Sequence, residues 1–185
     1  MLQKYLITSR EFYSDTPAVF RKILHEQFIK YLPSFALYRD KTNPNYKIQA
    51  EHFVEVCAQF ESVNAIIHSD VALAFKLRAY GVHLTSQQFS EIKKAKELGL
   101  KVIISTHSKE EALKAEKLGA DYVTYSPIFT TPNKGEPKGI EDLKELLKSV
   151  EIKVFALGGI VKEEQIVDIS QTDSFGFASI RYFYS

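Results

Sequence analysis

Short apolar runs recur along the chain: KYLIT (4–8), SFALY (34–38), NAIIH (64–68), YGVHL (80–84), KVIIS (101–105), DYVTY (121–125), KVFAL (153–157) and SFGFAS (174–179). Each is too short for an independent helix and rich in β-branched or aromatic residues, so each reads as a strand. None alternates with polar residues, which predicts burial on both faces, as in a parallel sheet covered by helices.

Helical patterns lie between the runs. PAVFRKILHEQFIKYL (17–32) sets Phe20, Ile23, Leu24 and Phe28 on one stripe. SKEEALKAEKLGA (108–120) opens with a Ser108 to Glu111 capping box and stops at Gly119, and SEIKKAKELGL (90–100) stops at Gly99. HFVEVCAQF (52–60) reads as a helix face that buries Cys57, with a reactive thiol as the alternative. Strands alternating with helices at intervals of about twenty residues give an α/β fold with a parallel sheet. Eight such units favour a closed (β/α)8 barrel over an open doubly wound sheet, formed as one domain over residues 1–185. The length is below the ~200 residues usual for that fold, and the shortage falls at the end. Only IRYFYS follows the last run, so the eighth helix is shortened to a stub. Its aromatic residues are expected to fold back on the barrel or to be covered by a partner subunit, as in a homodimer.

Composition narrows the function classes. Lys plus Arg number 24 against 23 Asp plus Glu, so no bulk charge points to nucleic acid or to an anionic membrane surface. One cysteine excludes an intrachain disulfide and a multi-cysteine zinc site, which fits a reducing compartment. The start, MLQKYLITSREF, lacks a long apolar core, and no run reaches the roughly 18 residues of a membrane span. A soluble, cytoplasmic protein is expected.

A barrel of this kind builds its active site at the C-terminal ends of the strands. Those positions hold Arg39, Asp40 and Lys41; His68, Ser69 and Asp70; His83, Thr85 and Ser86; Ser105, Thr106 and His107. The loop TYSPIFTTPNKGEPKG (124–139), Gly158 with Gly159, and Ser179 to Arg181 complete the rim. In LYRDK, Leu37, Arg39 and Lys41 share one side of an extended chain, aiming two cations at one place. A guanidinium beside an ammonium suits a phosphate or diphosphate; a solvated charge pair is the plainer reading. In FALGGI, two glycines after a buried strand let backbone N–H groups approach an anion, unless they only make a tight turn. Gly176 precedes a short segment whose start would complete that cradle. His68, His83 and His107 end consecutive strands and would supply a three-histidine metal site, or serve as hydrogen-bonded structural residues.

Taken in order, ITS, YRDK, GVHL, STHSKEEA, GADYVTYSPIFTTPNKG and FALGGI resemble the thiamine phosphate synthase and TenI family, from Leu6 to Ile180. The resemblance implies a (β/α)8 barrel. Synthases of the family join hydroxymethylpyrimidine diphosphate to thiazole phosphate and expel pyrophosphate, with Mg2+ holding the diphosphate. The family's Gln-x-Arg-x-Lys falls on Leu37, Arg39 and Lys41, and its Thr-x-Thr-Lys on Thr131, Asn133 and Lys134. Ser105 matches the serine after strand five; Gly158, Gly159 and the segment after Gly176, with Ser179 and Ile180, match the thiazole phosphate cradle. The resemblance thus implies Arg39, Lys41 and Lys134 as the catalytic cations and the others as phosphate binders.

This chain departs from the pattern at three places. The two metal-binding carboxylates of the synthases become Ser69 and Gln88, leaving Asp70 as the nearest candidate ligand, and the catalytic histidine of the tautomerases becomes Pro127. Mg2+ is implied if the synthase reading holds, and no cofactor otherwise. The alternatives are a metal-independent, TenI-like thiazole tautomerase with His83 or His107 moving protons, and a non-catalytic protein that binds thiazole or thiamine phosphate.

Overall fold

The structure, a computed structural model, describes residues 1–184. The strands are β1 (Gln3–Ile7), β2 (Phe35–Tyr38), β3 (Asn64–His68), β4 (Gly81–Leu84), β5 (Lys101–Thr106), β6 (Tyr122–Tyr125), β7 (Lys153–Leu157) and β8 (Gly176–Ser179). Helices α1 (Arg10–Tyr13) and α2 (Pro17–Tyr31) follow β1. One helix then follows each strand: α3 (Tyr46–Cys57), α4 (Val71–Lys76), α5 (Glu91–Glu97), α6 (Lys109–Lys117), α7 (Gly139–Leu147) and α8 (Glu163–Ser170). A 3-10 turn over Arg181–Tyr184 takes the place of a helix after β8. All strands pair in parallel in chain order and the sheet closes, with Tyr5 of β1 between Phe35 of β2 and Ala178 of β8. This is the expected (β/α)8 barrel.

Both faces of each strand are buried, for two different reasons. Inward-facing Tyr5, Phe35, Ile66, Ile103, Tyr122 and Phe155 fill the barrel. The filling is mostly aromatic, with Phe35 packed against Tyr122 at 5.4 Å and Phe155 at 5.2 Å between ring centroids. Outward-facing Leu6, Val82, Val102 and Val123 meet the helices, among them the Phe20, Leu24 and Phe28 stripe of α2. Full burial of one such side chain stabilises by about 1.5–3 kcal/mol. Cys57 belongs to this outer layer, where burial pushes its thiol pKa up and leaves it an inert core residue.

Ser108 caps α6 by accepting the Glu111 N–H at 3.2 Å, while the Glu111 carboxylate reaches the His107 N–H at 2.6 Å instead of the cap residue's own. The aromatic end folds back on the barrel. Phe183 is buried, stacked on Phe177 at 5.6 Å and edge-on to Tyr31 of α2 at 5.5 Å. Among the described residues no helix is long and apolar enough to cross a membrane.

Candidate active site

In the upper barrel the apolar filling gives way to a polar line. His83 is buried on β4, with Nδ1 2.9 Å from the Tyr5 hydroxyl and Nε2 3.0 Å from Ser105 Oγ. Burial raises the Tyr5 pKa well above its usual value, so the phenol keeps its proton, and its one partner is Nδ1. The tautomer that satisfies every donor has Tyr5 donating to Nδ1 and Nε2–H donating to Ser105. The serine's own proton is then left for an acceptor at the barrel mouth. Burial, reinforced by competition with His68 for a proton and by the Arg39 charge, lowers the His83 pKa to about 3, so the ring is neutral. Both its nitrogens are engaged, so His83 orients the Ser105 hydroxyl and links it to Tyr5. His107 differs: it is exposed, its Nδ1 lies 3.1 Å from the Ser126 carbonyl, and its Nε2 has no partner among the described residues.

A cationic corner adjoins this line. Leu37 points into the barrel, and the period of two carries Arg39 to the same side at the mouth. Its backbone N–H donates to Thr8 Oγ1 at 3.0 Å, but its partly buried guanidinium has no hydrogen bond or ion pair among the described residues. Burial lowers the Arg39 pKa, with the neighbouring Asp40 charge opposing. Exposed Lys41 is likewise unpaired among the described residues. Lys96 and Lys101, by contrast, share Asp121 at 2.6 and 3.0 Å. Burial, then the charges of Arg39 and Lys41, lowers the His68 pKa to about 4. His68 is therefore a neutral ring beside two cations. The histidines do not form a metal site. The His68 and His83 rings stand 6.3 Å apart, His83 has no free nitrogen, and the described residues contain no group of three or more His, Cys, Asp or Glu able to hold a metal.

The loop after β6 runs beside the end of β7, with Ile128 N–H donating to Leu157 at 2.9 Å and Phe129 N–H to Gly158 at 3.0 Å. Gly159 has φ +70°, and a Cβ on it would stand 2.5 Å from the Thr130 carbonyl oxygen, so only glycine admits the loop there. The two form one wall of a cleft of about 530 Å3 that Thr131, Gln165 and Arg181 also line. Gln165 shapes it by accepting the Val161 and Lys162 N–H groups at 2.8 and 3.0 Å and donating to the Gly159 carbonyl at 2.8 Å. The Gly159 and Arg181 amides have no acceptor among the described residues, and neither has the Arg181 guanidinium. Ser179 ties the walls together, its Oγ donating to the Ile160 carbonyl at 2.8 Å and accepting from Tyr182 N–H at 3.2 Å. Ile180 packs against the barrel interior. Asn133 and Lys134 sit at the exposed tip of the loop, where the Lys134 N–H closes a turn on the Thr131 carbonyl at 3.2 Å. Gly176 is at the other end of β8, about 10 Å below Ser179 at ~3.3 Å per residue. A Cβ there would lie 2.2 Å from the Gln3 carbonyl oxygen and 2.8 Å from the Phe155 ring. It is a packing glycine of the barrel floor and not part of the cradle.

Between β3 and β4 the polar groups satisfy one another. The Ser69 carbonyl accepts from Gln88 Nε2 at 3.0 Å, and Gln88 Oε1 accepts from the N–H and hydroxyl of Thr85 at 3.0 and 3.2 Å. Asp70 is the N-cap of α4, its carboxylate accepting the Leu73 N–H at 2.8 Å.

A family model described as thiamine monophosphate synthase matches residues 4–183. The chain belongs to this family. A putative thiamine-phosphate synthase 2 of Aquifex aeolicus is 42% identical over 117 residues, covering 62% of this chain and 61% of the relative. A thiamine-phosphate synthase of Pelotomaculum thermopropionicum is 35% identical over 144 residues, covering 72% and 63%. The chain therefore matches less than two thirds of the length of these relatives. The solved structure of a thiamine phosphate pyrophosphorylase from Pyrococcus furiosus is 27% identical with a TM-score of 0.82, covering 97% of this chain and 85% of its own.

Membership brings the question of Mg2+, which the thiamine phosphate synthase family uses. The residues here do not fit it. Of the positions expected to hold it, Ser69 is neutral with its carbonyl bonded to Gln88, Gln88 is neutral with its oxygen bonded twice, and Asp70 caps a helix through Oδ1 and joins no group of three or more metal-ligating side chains among the described residues. Arg39 and Lys41 lie beside His68, Ser105 lies beside His83, and Thr131 and Gly159 line the cleft. Sequence reasoning overlooked Gln165, although its place three residues after Lys162 is the spacing of a capping box. Arg181 lay on the expected rim, but only closure of β8 against the β7 loop gives it a cleft.

Proposed function

We propose that this chain is a cytoplasmic thiamine phosphate synthase-like protein of thiamine biosynthesis, joining hydroxymethylpyrimidine diphosphate to thiazole phosphate with release of pyrophosphate. The observation that carries the reading is Arg39, a partly buried guanidinium beside Lys41 and His68 that makes no hydrogen bond or ion pair among the described residues. A desolvated cation of this kind suits a multiply charged anion. Thiazole phosphate is assigned to the cleft that Gly159, Thr131 and Arg181 line, where the Gly159 and Arg181 amides and the Arg181 guanidinium have no acceptor among the described residues.

The chemistry asks for charge stabilisation and placement. As the bond between the pyrimidine methylene carbon and the diphosphate oxygen breaks, its electron pair leaves with the pyrophosphate. Arg39, Lys41 and Lys134 receive that charge, and Ser105, its proton turned outward by His83, donates to an anionic oxygen. The thiazole nitrogen lone pair then forms the new bond to the methylene carbon. No proton is abstracted, so no general base is required. Fluorescence detection of thiamine phosphate after oxidation, with pyrophosphate assayed in parallel, tests this. Equal amounts of both products are expected, with a loss of about 100-fold or more in Arg39→Ala.

A second reading rests on His107, whose Nδ1 is anchored on Ser126 and whose Nε2 is open. It is a tautomerase acting on a thiazole carboxylate phosphate, with Nε2 moving the proton. Tautomerisation abolished by His107→Asn, with no thiamine phosphate formed, would support it over the synthase.

A further inference from the structure

A site for Mg2+ needs near-octahedral oxygen ligands at about 2.0–2.1 Å, one or two of them carboxylates. The segment between β3 and β4 offers the opposite. Gln88 is neutral, presents an N–H donor to the Ser69 carbonyl, and keeps its oxygen on Thr85. Asp70 is held at the start of α4, its Oδ1 accepting the Leu73 N–H, and no second carboxylate stands with it in a group of three or more metal-ligating side chains among the described residues. The charges that act on the His68 ring are those of Arg39 and Lys41, both positive, which attract an anion and repel a divalent cation.

The bracket from Thr85 through Gln88 to Ser69 also has a mechanical consequence. One hydrogen bond, from Gln88 Nε2 to the Ser69 carbonyl, joins the loop after β4 to the loop after β3, and two more from Thr85 hold the Gln88 side chain in place to make it, so the shape of this part of the mouth is set by the chain itself. Ser69 is held there in the left-handed region, at φ +63°. The turn places His68 beside the two cations with its ring nitrogens unengaged among the described residues.

We infer that this barrel takes the diphosphate group of its ligand without a divalent cation, Gln88 acting as the positioning residue that orders the β3 and β4 loops while Arg39, Lys41 and His68 supply every contact a metal would otherwise supplement. The inference rests on the diphosphate ligand of the proposed function. It differs from it in what it forbids: the anion binds free of metal, and added Mg2+ competes for the anion instead of bridging it to the protein.

Calorimetric titration of the full chain with inorganic pyrophosphate, in EDTA and then in MgCl2, tests it. Binding in EDTA is expected, unchanged or weakened on adding Mg2+, and lowered about tenfold or more in Arg39→Ala/Lys41→Ala. In Gln88→Ala, checked for folding by circular dichroism, binding is expected to weaken about fivefold or more without rescue by Mg2+. Binding that requires Mg2+, or tightens about tenfold with it, overturns the inference and leaves the synthase reading standing. Rescue of Gln88→Ala by Mg2+ does the same. Pyrophosphate binding in neither buffer overturns both, and titration with thiazole phosphate in the same cell then reports whether the phosphate cleft survives as a separate site.

Discussion

The side-chain amide of Gln88 donates a 3.0 Å hydrogen bond to the carbonyl of Ser69, joining two loops at the barrel mouth. The same side chain accepts twice from Thr85. Gln88→Ala removes all three bonds and leaves partly buried polar groups unpaired, at a cost of about 1–3 kcal/mol. For a chain of this size that lowers Tm by about 2–4 °C per kcal/mol. Calorimetric melting checks it; an unchanged Tm would show that the bracket does not hold the loops.

Acid should destabilise the fold through two histidines. An unfolded histidine takes up a proton near pH 6.5, whereas folded His68 and His83 do so only near pH 4 and pH 3. Between those values the unfolded chain binds more protons, so stability falls as pH falls. The slope approaches about 1.4 kcal/mol per pH unit for each ring. Above pH 6.5 these rings contribute no pH dependence, and the loss is complete for His68 near pH 4. Urea unfolding at a series of pH values should show the decline, and His68→Asn should remove part of it.

The two glycines at opposite ends of the barrel should separate in their effects. Gly176→Ala forces a Cβ to 2.2 Å from the Gln3 carbonyl oxygen and should destabilise by about 1–3 kcal/mol with thiazole phosphate affinity unchanged. Gly159→Ala strains a left-handed residue against Thr130 in the cleft wall and should weaken that affinity about tenfold. Melting curves with parallel titrations distinguish them, and a large affinity loss in Gly176→Ala would contradict its place on the floor.

Thr124 is buried on β6 with its hydroxyl unpartnered among the described residues. Thr124→Val keeps the shape and removes the unpaired group, so it should stabilise by about 1 kcal/mol. Destabilisation in thermal melts would mean that the hydroxyl is satisfied by water or ligand.

Most of the fold was legible because its signals are local. The runs from KYLIT to SFGFAS become the eight strands with ends shifted by at most two residues, since a strand buried on both faces cannot hide its apolar character. The stops before Gly99 and Gly119 and the Ser108 cap are equally local. The site was legible only where spacing along one strand decides the geometry, as for Leu37, Arg39 and Lys41. Gly176 could not be read that way, because its neighbour Gln3 is met only through barrel closure. Asp70 looked like a metal ligand, although an Asp just before the apolar run VALAF is also a helix cap. The partners of His83 could not be read at all, because Tyr5 and Ser105 reach its two nitrogens only across the closed barrel.

The central claim is tested most directly by incubating the purified chain with hydroxymethylpyrimidine diphosphate and thiazole phosphate and measuring thiamine phosphate. The account predicts thiamine phosphate and pyrophosphate in equal amounts, with the rate reduced about 100-fold or more in Arg39→Ala. Binding of both ligands with no product formed would contradict it.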